Sequence, residues 1–275
     1  METKIAIQGI KGSFHHAVAM NYFGETVALK ECLSFDALVD AVLSGEVNQA
    51  VMALENSIAG SIIPNYALID QNDLSIVGEY NLTIHHTLMT LVGQSIEDIQ
   101  EVHSHPMALL QCKEFFRDYP RIKLIEASDT ANVAKQIADE QHKGIAAIAP
   151  KASAEIYGLN VLAESIQTIK NNITRFVIVQ KKNGSVDPAK INKASLKFIL
   201  DHQRGSLAAV LNVMSDCLLN LTKIQSLPVI ETPGKYAFFV DVTFDTFEQY
   251  QKARQILNIM ALEFKILGEY TDIKR

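Results

Sequence analysis

The chain has 275 residues, 48% hydrophobic and 20% charged, with 13 Gly and 7 Pro, which excludes a disordered or fibrous chain and leaves room for two globular domains. A formal charge of −6 with no Lys- or Arg-rich run argues against nucleic acid or an anionic membrane as partner, while small anionic substrates stay open. Cys32, Cys112 and Cys217 are far apart and in no C-x-x-C pattern, so they read as buried thiols in a reducing compartment. No apolar run approaches the ~18 residues that span a bilayer, and Lys4 enters a strand with no signal peptide before it. A cytoplasmic protein is expected.

Strand Lys4-Ile5-Ala6-Ile7-Gln8 leads through Gly9-Ile10-Lys11-Gly12 to Ser13, an N-cap for a helix that runs to Gly24. Such a turn is either simply tight or a place where free backbone N–H groups meet an anion. A second helix opens at Ser34 with Phe35, Leu38, Val39, Val42 and Leu43 on one face. Strand 50–54 then delivers Glu55-Asn56-Ser57-Ile58-Ala59-Gly60-Ser61. Asn56 can donate and accept, Ser57 or Ser61 can cap a following helix, and Gly60 allows close backbone approach.

From about Val77 the pattern is strand-rich, with strands near 75–80 and 85–91, a capped helix start at Ser95 and a strand around 101–103. Ser104-His105-Pro106 opens a helix with Pro at its first position, running through Leu109, Leu110, Cys112, Phe115 and Phe116. Ser104 stands at its mouth and Gln111 on its early turns. Strand 123–126, a helix from Asp129 to Ala138, strand 145–148 and a short helix closed by Tyr157-Gly158-Leu159 complete an alternating α/β unit. The chain then returns through 162–166 to Asn171-Asn172-Ile173-Thr174-Arg175-Phe176, a polar run feeding an apolar strand. Polar groups at strand mouths are where α/β folds place ligands. The eight histidines include the pairs His15-His16 and His85-His86, but no H-E-x-x-H or Cys/His ligand spacing supports a metal. Neither a metal nor an organic cofactor is expected.

Taken together, Gly9-x-x-Gly12-Ser13-Phe14, Glu55-Asn56-Ser57-x-x-Gly60-Ser61, Ser104-His105-Pro106, Tyr157-Gly158-Leu159 and Asn172-x-Thr174-Arg175-Phe176 closely resemble the motifs of the prephenate dehydratases. The resemblance covers the first ~180 residues in order and spacing. It implies two α/β lobes of the type II periplasmic-binding-protein kind, with the active site in the cleft between them. It places Thr174 as the key catalytic residue, with Glu55, Asn56, Ser104 and Gln111 around the substrate. Ile10, His15 and Met107 depart from the family's usual Pro, Ser and Gln.

The chemistry so implied turns prephenate into phenylpyruvate, CO₂ and water. It needs a hydrogen bond or proton at the leaving hydroxyl, a clamp for the side-chain carboxylate and a dry site around the departing one. Thr174 is expected to donate to the hydroxyl, polarised by Asn56 or Gln111. Arg175, Phe176 and Asn172 would complete the substrate site, together with helix N-termini at Gly12-Ser13 and Gly60-Ser61. Neighbours on a strand point to opposite faces, so Thr174 is preferred if only one of Thr174 and Arg175 faces the ligand.

The polar segment 183–192 reads as a linker between a catalytic domain (1–182; lobes of about 1–76 with 163–182, and about 77–162) and residues 193–275. The latter follow a βαββαβ, ferredoxin-like order: strand 194–200, helix 206–218, strands 222–230 and 236–243, helix 246–262 and a short strand. The first of these helices should bury Leu207, Val210, Leu211, Met214 and Leu218. With Gly205-Ser206-Leu207 at its first turn and Asn220 to Pro228 beyond it, this segment resembles the ACT regulatory domain. That domain in the family pairs with a second copy and binds L-phenylalanine. Here Gln225-Ser226-Leu227-Pro228 stands where Glu-Ser-Arg-Pro is usual. The expectation is therefore a monofunctional prephenate dehydratase, a homodimer or homotetramer through its ACT domains. An arogenate dehydratase and a non-catalytic amino-acid sensor are the alternatives.

Overall fold

The structure is a computed structural model and describes residues 4–182, 187–229, 232 and 234–272. Residues 183–186 of the expected linker, and Ile230 at the end of an expected strand, lie outside the described residues. The order is β1 (Lys4–Gln8), α1 (Phe14–Phe23), β2 (Ala28–Cys32), α2 (Phe35–Leu43), β3 (Gln49–Asn56), β4 (Gly60–Ser61), α3 (Ile63–Gln71), β5 (Leu74–Thr83), β6 (Thr87–Thr90) and β7 (Glu101–Ser104). It continues with α4 (Pro106–Cys112), β8 (Lys123–Glu126), α5 (Thr130–Glu140), β9 (Ile145–Ala149), α6 (Lys151–Tyr157), β10 (Asn160–Ala163) and β11 (Ile173–Lys181). Last come β12 (Lys193–Ile199), α7 (Ser206–Asp216), β13 (Asn220–Pro228), β14 (Tyr236–Thr243), α8 (Phe247–Met260) and β15 (Glu263–Tyr270). No described helix is long and apolar enough to cross a membrane.

By compactness the chain forms one unit of residues 1–62 with 80–176, and another of 63–79 with 177–275. The first unit has two lobes. In one, the strand order is β11-β3-β1-β2, with β1 parallel to both β2 and β3. Ile5, Ile7 and Val51 are buried there beside Val18, Leu38 and Val39 of the helices. The other lobe is a five-stranded sheet in the order β10-β6-β9-β7-β8, parallel across β9-β7-β8 and antiparallel at β6. Period-two alternation divides its side chains cleanly: Leu88, Ala146 and Ile148 enter one core and Met89, Ala147 and Ala149 the other.

In the second unit the sheet runs β13-β14-β12-β15-β5. The succession β12-α7-β13-β14-α8-β15 is the expected ferredoxin-like order, with Leu196, Phe198, Val210, Met214, Val242, Tyr250 and Leu257 in its core. β5 joins this sheet at the parallel pair Gly268↔Ile76, where a Cβ on Gly268 would stand 2.3 Å from the Ile76 carbonyl oxygen. Cations of β12 and β15 hold the acids of 63–79: Lys193 Nζ lies 2.6 Å from Glu79, Lys197 Nζ 2.7 Å from Asp70, and Lys265 Nζ 2.9 Å from Asp73.

Several local expectations change. Ser95 caps only a 3₁₀ turn, Ile96–Asp98, because Gln100 N–H already bonds the Gly144 carbonyl and starts the next strand. The helix from Pro106 stops at Cys112, and a separate 3₁₀ turn, Phe115–Asp118, carries Phe116 into the lobe core. Gly60-Ser61 folds back as β4, pairing Ser61 with Glu55 and Gly60 with Asn56. Leu218 lies beyond the end of α7 at φ 61° and is 69% exposed, so the buried stripe ends at Met214. The last strand is eight residues rather than short.

Candidate active site

The first unit contains a cavity of about 410 Å³ whose walls come from both lobes. Ser13, Phe14 and His15 at the start of α1, Asn56 and Ala59 after β3, and Thr174 and Phe176 on β11 face it from one lobe. His86 before β6, His105, Met107 and Gln111 around α4, and Asp129 and Thr130 at the start of α5 face it from the other. A larger groove of about 610 Å³ is bordered by Glu114, Arg117, Asp118 and Lys170 and includes none of the motif residues.

The polar centre of the cavity is a directed hydrogen-bond chain, and its direction can be worked out from one end. Asn56 Oδ1 accepts the backbone N–H groups of Ile58 and Ala59 at 3.0 and 2.8 Å, which fixes the amide. Its Nδ2 must then donate, to Asn172 Oδ1 at 2.7 Å and to Thr174 Oγ1 at 2.9 Å. Since Asn172 accepts through its oxygen, its Nδ2 donates to Gln111 Oε1 at 2.9 Å. That oxygen also lies 2.9 Å from His86 Nε2, which therefore carries the proton. The bare Nδ1 of His86 is buried with no hydrogen-bond partner.

Two donors are left over by this ordering. Thr174 accepts from Asn56, so its O–H is free to donate, and the Gln111 NH₂ is unused because the bonds to Gln111 fall on its oxygen. Both residues line the cavity. No Lys or Arg is among the lining residues; the N-terminal turn of α1 supplies a positive end that favours an anion, whereas that of α5 is capped by the Asp129 carboxylate. Burial holds the His15 imidazole neutral, its pKa lowered to about 3, with its ring edge-on to Phe35 and Phe176 at 5.6 and 5.0 Å. Burial also lowers His86, against the raising effect of its bond to Gln111.

Of the residues expected from the sequence, Thr174, Asn56, Gln111, Phe176 and Ser13 line the cavity. Asn172 does not line it; it is fully buried and acts through Asn56 and Gln111. Arg175 is not a lining residue, as alternation along β11 turns it from the face of Thr174 and Phe176; Glu55 is not one either, and pairs with Ser61 of β4. Ser104 is buried, and its hydroxyl donates to the Ile148 carbonyl at 2.6 Å. Ser57 caps no helix: its Oγ accepts Ile173 N–H at 2.9 Å and ties the turn to β11. Gly60 and Ser61 are drawn into β4, leaving Ala59 and Ile62 on the wall. Gly12 packs against Ser153, with Ser153 Oγ only 2.8 Å from the position of a Cβ. Sequence reasoning missed Phe14, His15, His86, His105 and Asp129. The available signal was their position beside helix starts and strand mouths.

Gly205, Ser206 and Leu207 behave differently from the rest of the expected effector motif. Gly205, at φ 85°, is the N-cap of α7, and Ser206 and Leu207 border a small cavity of about 100 Å³ with Asp201, His202 and Tyr236. Asn220, Gln225, Ser226, Leu227 and Pro228 instead lie along β13, the edge strand, and none borders that cavity.

The family model described as prephenate dehydratase matches residues 5–184, most of the chain. The chain belongs to the prephenate dehydratase family. It is 35% identical to "Arogenate dehydratase/prephenate dehydratase 2, chloroplastic" of Arabidopsis thaliana over 97% of this chain and 72% of that protein. Among solved structures, the prephenate dehydratase of Arthrobacter aurescens, in complex with L-Phe, superposes with a TM-score of 0.87 and 24% identity over 98% of this chain and 90% of that one. A chain described as GqqA, a novel type of quorum quenching acylase, does so at 0.88 and 25% over 98% and 97%. These likenesses extend over both the two-lobed part and the βαββαβ segment, as the prephenate dehydratase resemblance implies.

Proposed function

We propose that the cavity carries out the prephenate dehydratase reaction, and the observation that carries this reading is the pair of unpaired donors, Thr174 O–H and Gln111 NH₂, left by the hydrogen-bond chain. The ring carboxylate of prephenate leaves as CO₂. The electron pair of that C–C bond moves through the ring diene and expels the hydroxyl at the far carbon, which departs as water after gaining a proton. Phenylpyruvate remains. Thr174 Oγ donates to the leaving hydroxyl, and donation from Asn56 polarises it for that role. A threonine hydroxyl is too weak an acid for full transfer, so solvent supplies the proton as the bond breaks. Gln111 NH₂ and the N-terminal turn of α1 receive the carboxylates, and Phe14 and Phe176 keep the ring environment dry.

Thr174 Oγ accepts from an amide and has neither imidazole nor carboxylate as its partner, so it is arranged as a donor and not as the activated nucleophile of acyl hydrolysis. This favours the dehydratase over the acylase activity described for GqqA and over a mere sensor. Asp129 favours arogenate as a second substrate: its carboxylate lines the cavity and could meet an ammonium group, and the Arabidopsis relative carries both activities in its name. Incubating the protein with prephenate and with arogenate, and following phenylpyruvate and phenylalanine formation, tests both. Turnover of prephenate is expected; turnover of neither substrate would remove the reading.

Residues 1–182 would act as the catalytic domain and 193–275 as an ACT domain that pairs two copies through β13 and takes L-phenylalanine as effector. The edge position of β13 supports the pairing, because an unpaired strand edge is a template for a second chain. A cytoplasmic setting agrees with three free, buried cysteines.

A further inference from the structure

The Tyr157-Gly158-Leu159 motif has no part in the hydrogen-bond chain or the cavity wall, yet it sits where the two lobes of the first unit touch. Tyr157 Oη donates to the Lys11 carbonyl at 2.6 Å, and Ser153, one turn earlier on α6, donates through Oγ to the Gly12 carbonyl at 3.0 Å. Gly158, at φ 67°, ends α6 directly after Tyr157, its N–H bonding the Ala154 carbonyl, and Leu159 is buried in the lobe core. The motif is thus a hydroxyl, a helix stop and an anchor in succession.

The glycine turn that receives these bonds is shaped for close approach. Gly12 has φ 90°, and a Cβ there would stand 2.8 Å from Ser153 Oγ and 3.1 Å from Ser153 Cα. Gly9 has φ 86°, and a Cβ there would come within 3.2 Å of Asp129 Oδ2 at the start of α5. Both glycines therefore face the opposite lobe. Ser13, Phe14 and His15, immediately after the turn, are cavity-lining residues, so wherever the turn is seated, the N-terminus of α1 goes with it.

We propose that Ser153 and Tyr157 form a clasp that seats the Gly9–Gly12 turn against the second lobe, with Tyr157 a positioning residue that places the α1 N-terminus for substrate binding. Burial, reinforced by Glu31, Asp139 and Asp129, pushes the Tyr157 hydroxyl up to about 12, so it remains a donor across the physiological range. The role in substrate binding rests on the prephenate dehydratase reading; the clasp itself does not. Because the clasp orders groups that meet the substrate before and during reaction, its loss should act on KM more than on kcat.

Tyr157→Phe keeps the ring and deletes the two-lobe bond. A roughly tenfold rise in KM for prephenate is expected, with kcat within about twofold and an unchanged unfolding midpoint. Ser153→Ala should act in the same direction, and the double variant should exceed either single one. An unchanged KM, or equal losses that follow a fall in stability, would overturn the positioning role. A second readout does not need activity. The native cysteines are buried, so spin labels on cysteines introduced at the exposed Asp40 and Gln136, one on each lobe, report the distance between lobes by electron-spin echo. Tyr157→Phe is expected to broaden that distance distribution; superposable distributions would overturn the clasp even in a fully active enzyme. If the unaltered protein fails to turn over prephenate, the functional reading falls, and the distance measurement still decides the clasp.

Discussion

At the scale of single residues, the site depends on which atoms donate. Two backbone amides orient Asn56, and every later choice along Asn172, Gln111 and His86 follows from the rule that an amide oxygen only accepts. Thr174→Ala should reduce kcat by about 10²- to 10⁴-fold, with Ser at this position milder, because Ser restores the hydroxyl. Steady-state turnover of prephenate measures this, and near-normal kcat in Thr174→Val would defeat the donor role. His15 gives a pH prediction. Folded, it stays neutral down to about 3, whereas the unfolded chain takes up the proton near 6.5. The unfolded state therefore binds more protons between those values, and stability declines as pH falls through that window. Thermal unfolding of His15→Ser at about pH 7 and about pH 4 should show a smaller loss than the parent chain; an equal loss would mean the imidazole is not held neutral.

At the scale of elements, the charged contacts of the second unit are of two kinds. Lys193 and Glu79 are buried, with side chains 10% and 2% exposed, whereas Lys265 pairs with the exposed Asp73. Only the first should matter much to stability, since an exposed pair is screened by water. Glu79→Ala leaves a buried ammonium whose remaining acidic partner among the described residues is the more distant Asp272, at 3.8 Å, and should cost on the order of 3–5 kcal/mol in chemical denaturation. Replacing both partners, Glu79→Leu with Lys193→Met, should cost less than Glu79→Ala alone. A double variant as unstable as the single one would show that the charges stabilise beyond mutual neutralisation.

For the whole molecule, the open question is regulation. The expected effector residues split between the start of α7 and the edge strand β13, so a second copy along β13 is the simplest way to complete the set. Gln225 and Leu227 remove an acid and a guanidinium from that strand relative to the family's usual Glu-Ser-Arg-Pro. L-phenylalanine should still bind and reduce turnover. Gln225→Glu with Leu227→Arg should lower the concentration for half-inhibition by about tenfold, a change of about 1.4 kcal/mol. Calorimetric titration and sedimentation of both proteins test this; no heat and no change in rate for either would leave the segment as a structural domain.

The sequence by itself determined the elements whose period was strong and whose ends were capped. Ser13 and Gly24 bound α1, Asp129 caps α5, and the βαββαβ succession is present as expected. It also drew attention to Asn56 and Thr174 as polar residues at strand mouths, whereas Gln111, on a helix, stood out only through the prephenate dehydratase resemblance. Direction and company were decided only by tertiary structure. Ser104 and Gly12 belong to motifs as clear as that of Thr174, yet one hydroxyl serves the Ile148 carbonyl and the glycine yields to Ser153. His86 lies 25 residues from the Gln111 that fixes its proton, and Asn56 lies 118 from Thr174. Local periodicity reports which face a residue occupies within its own element. Which partner meets that face is settled when strands distant in sequence pair, and here that pairing made a polar turn into a donor aimed at a cavity.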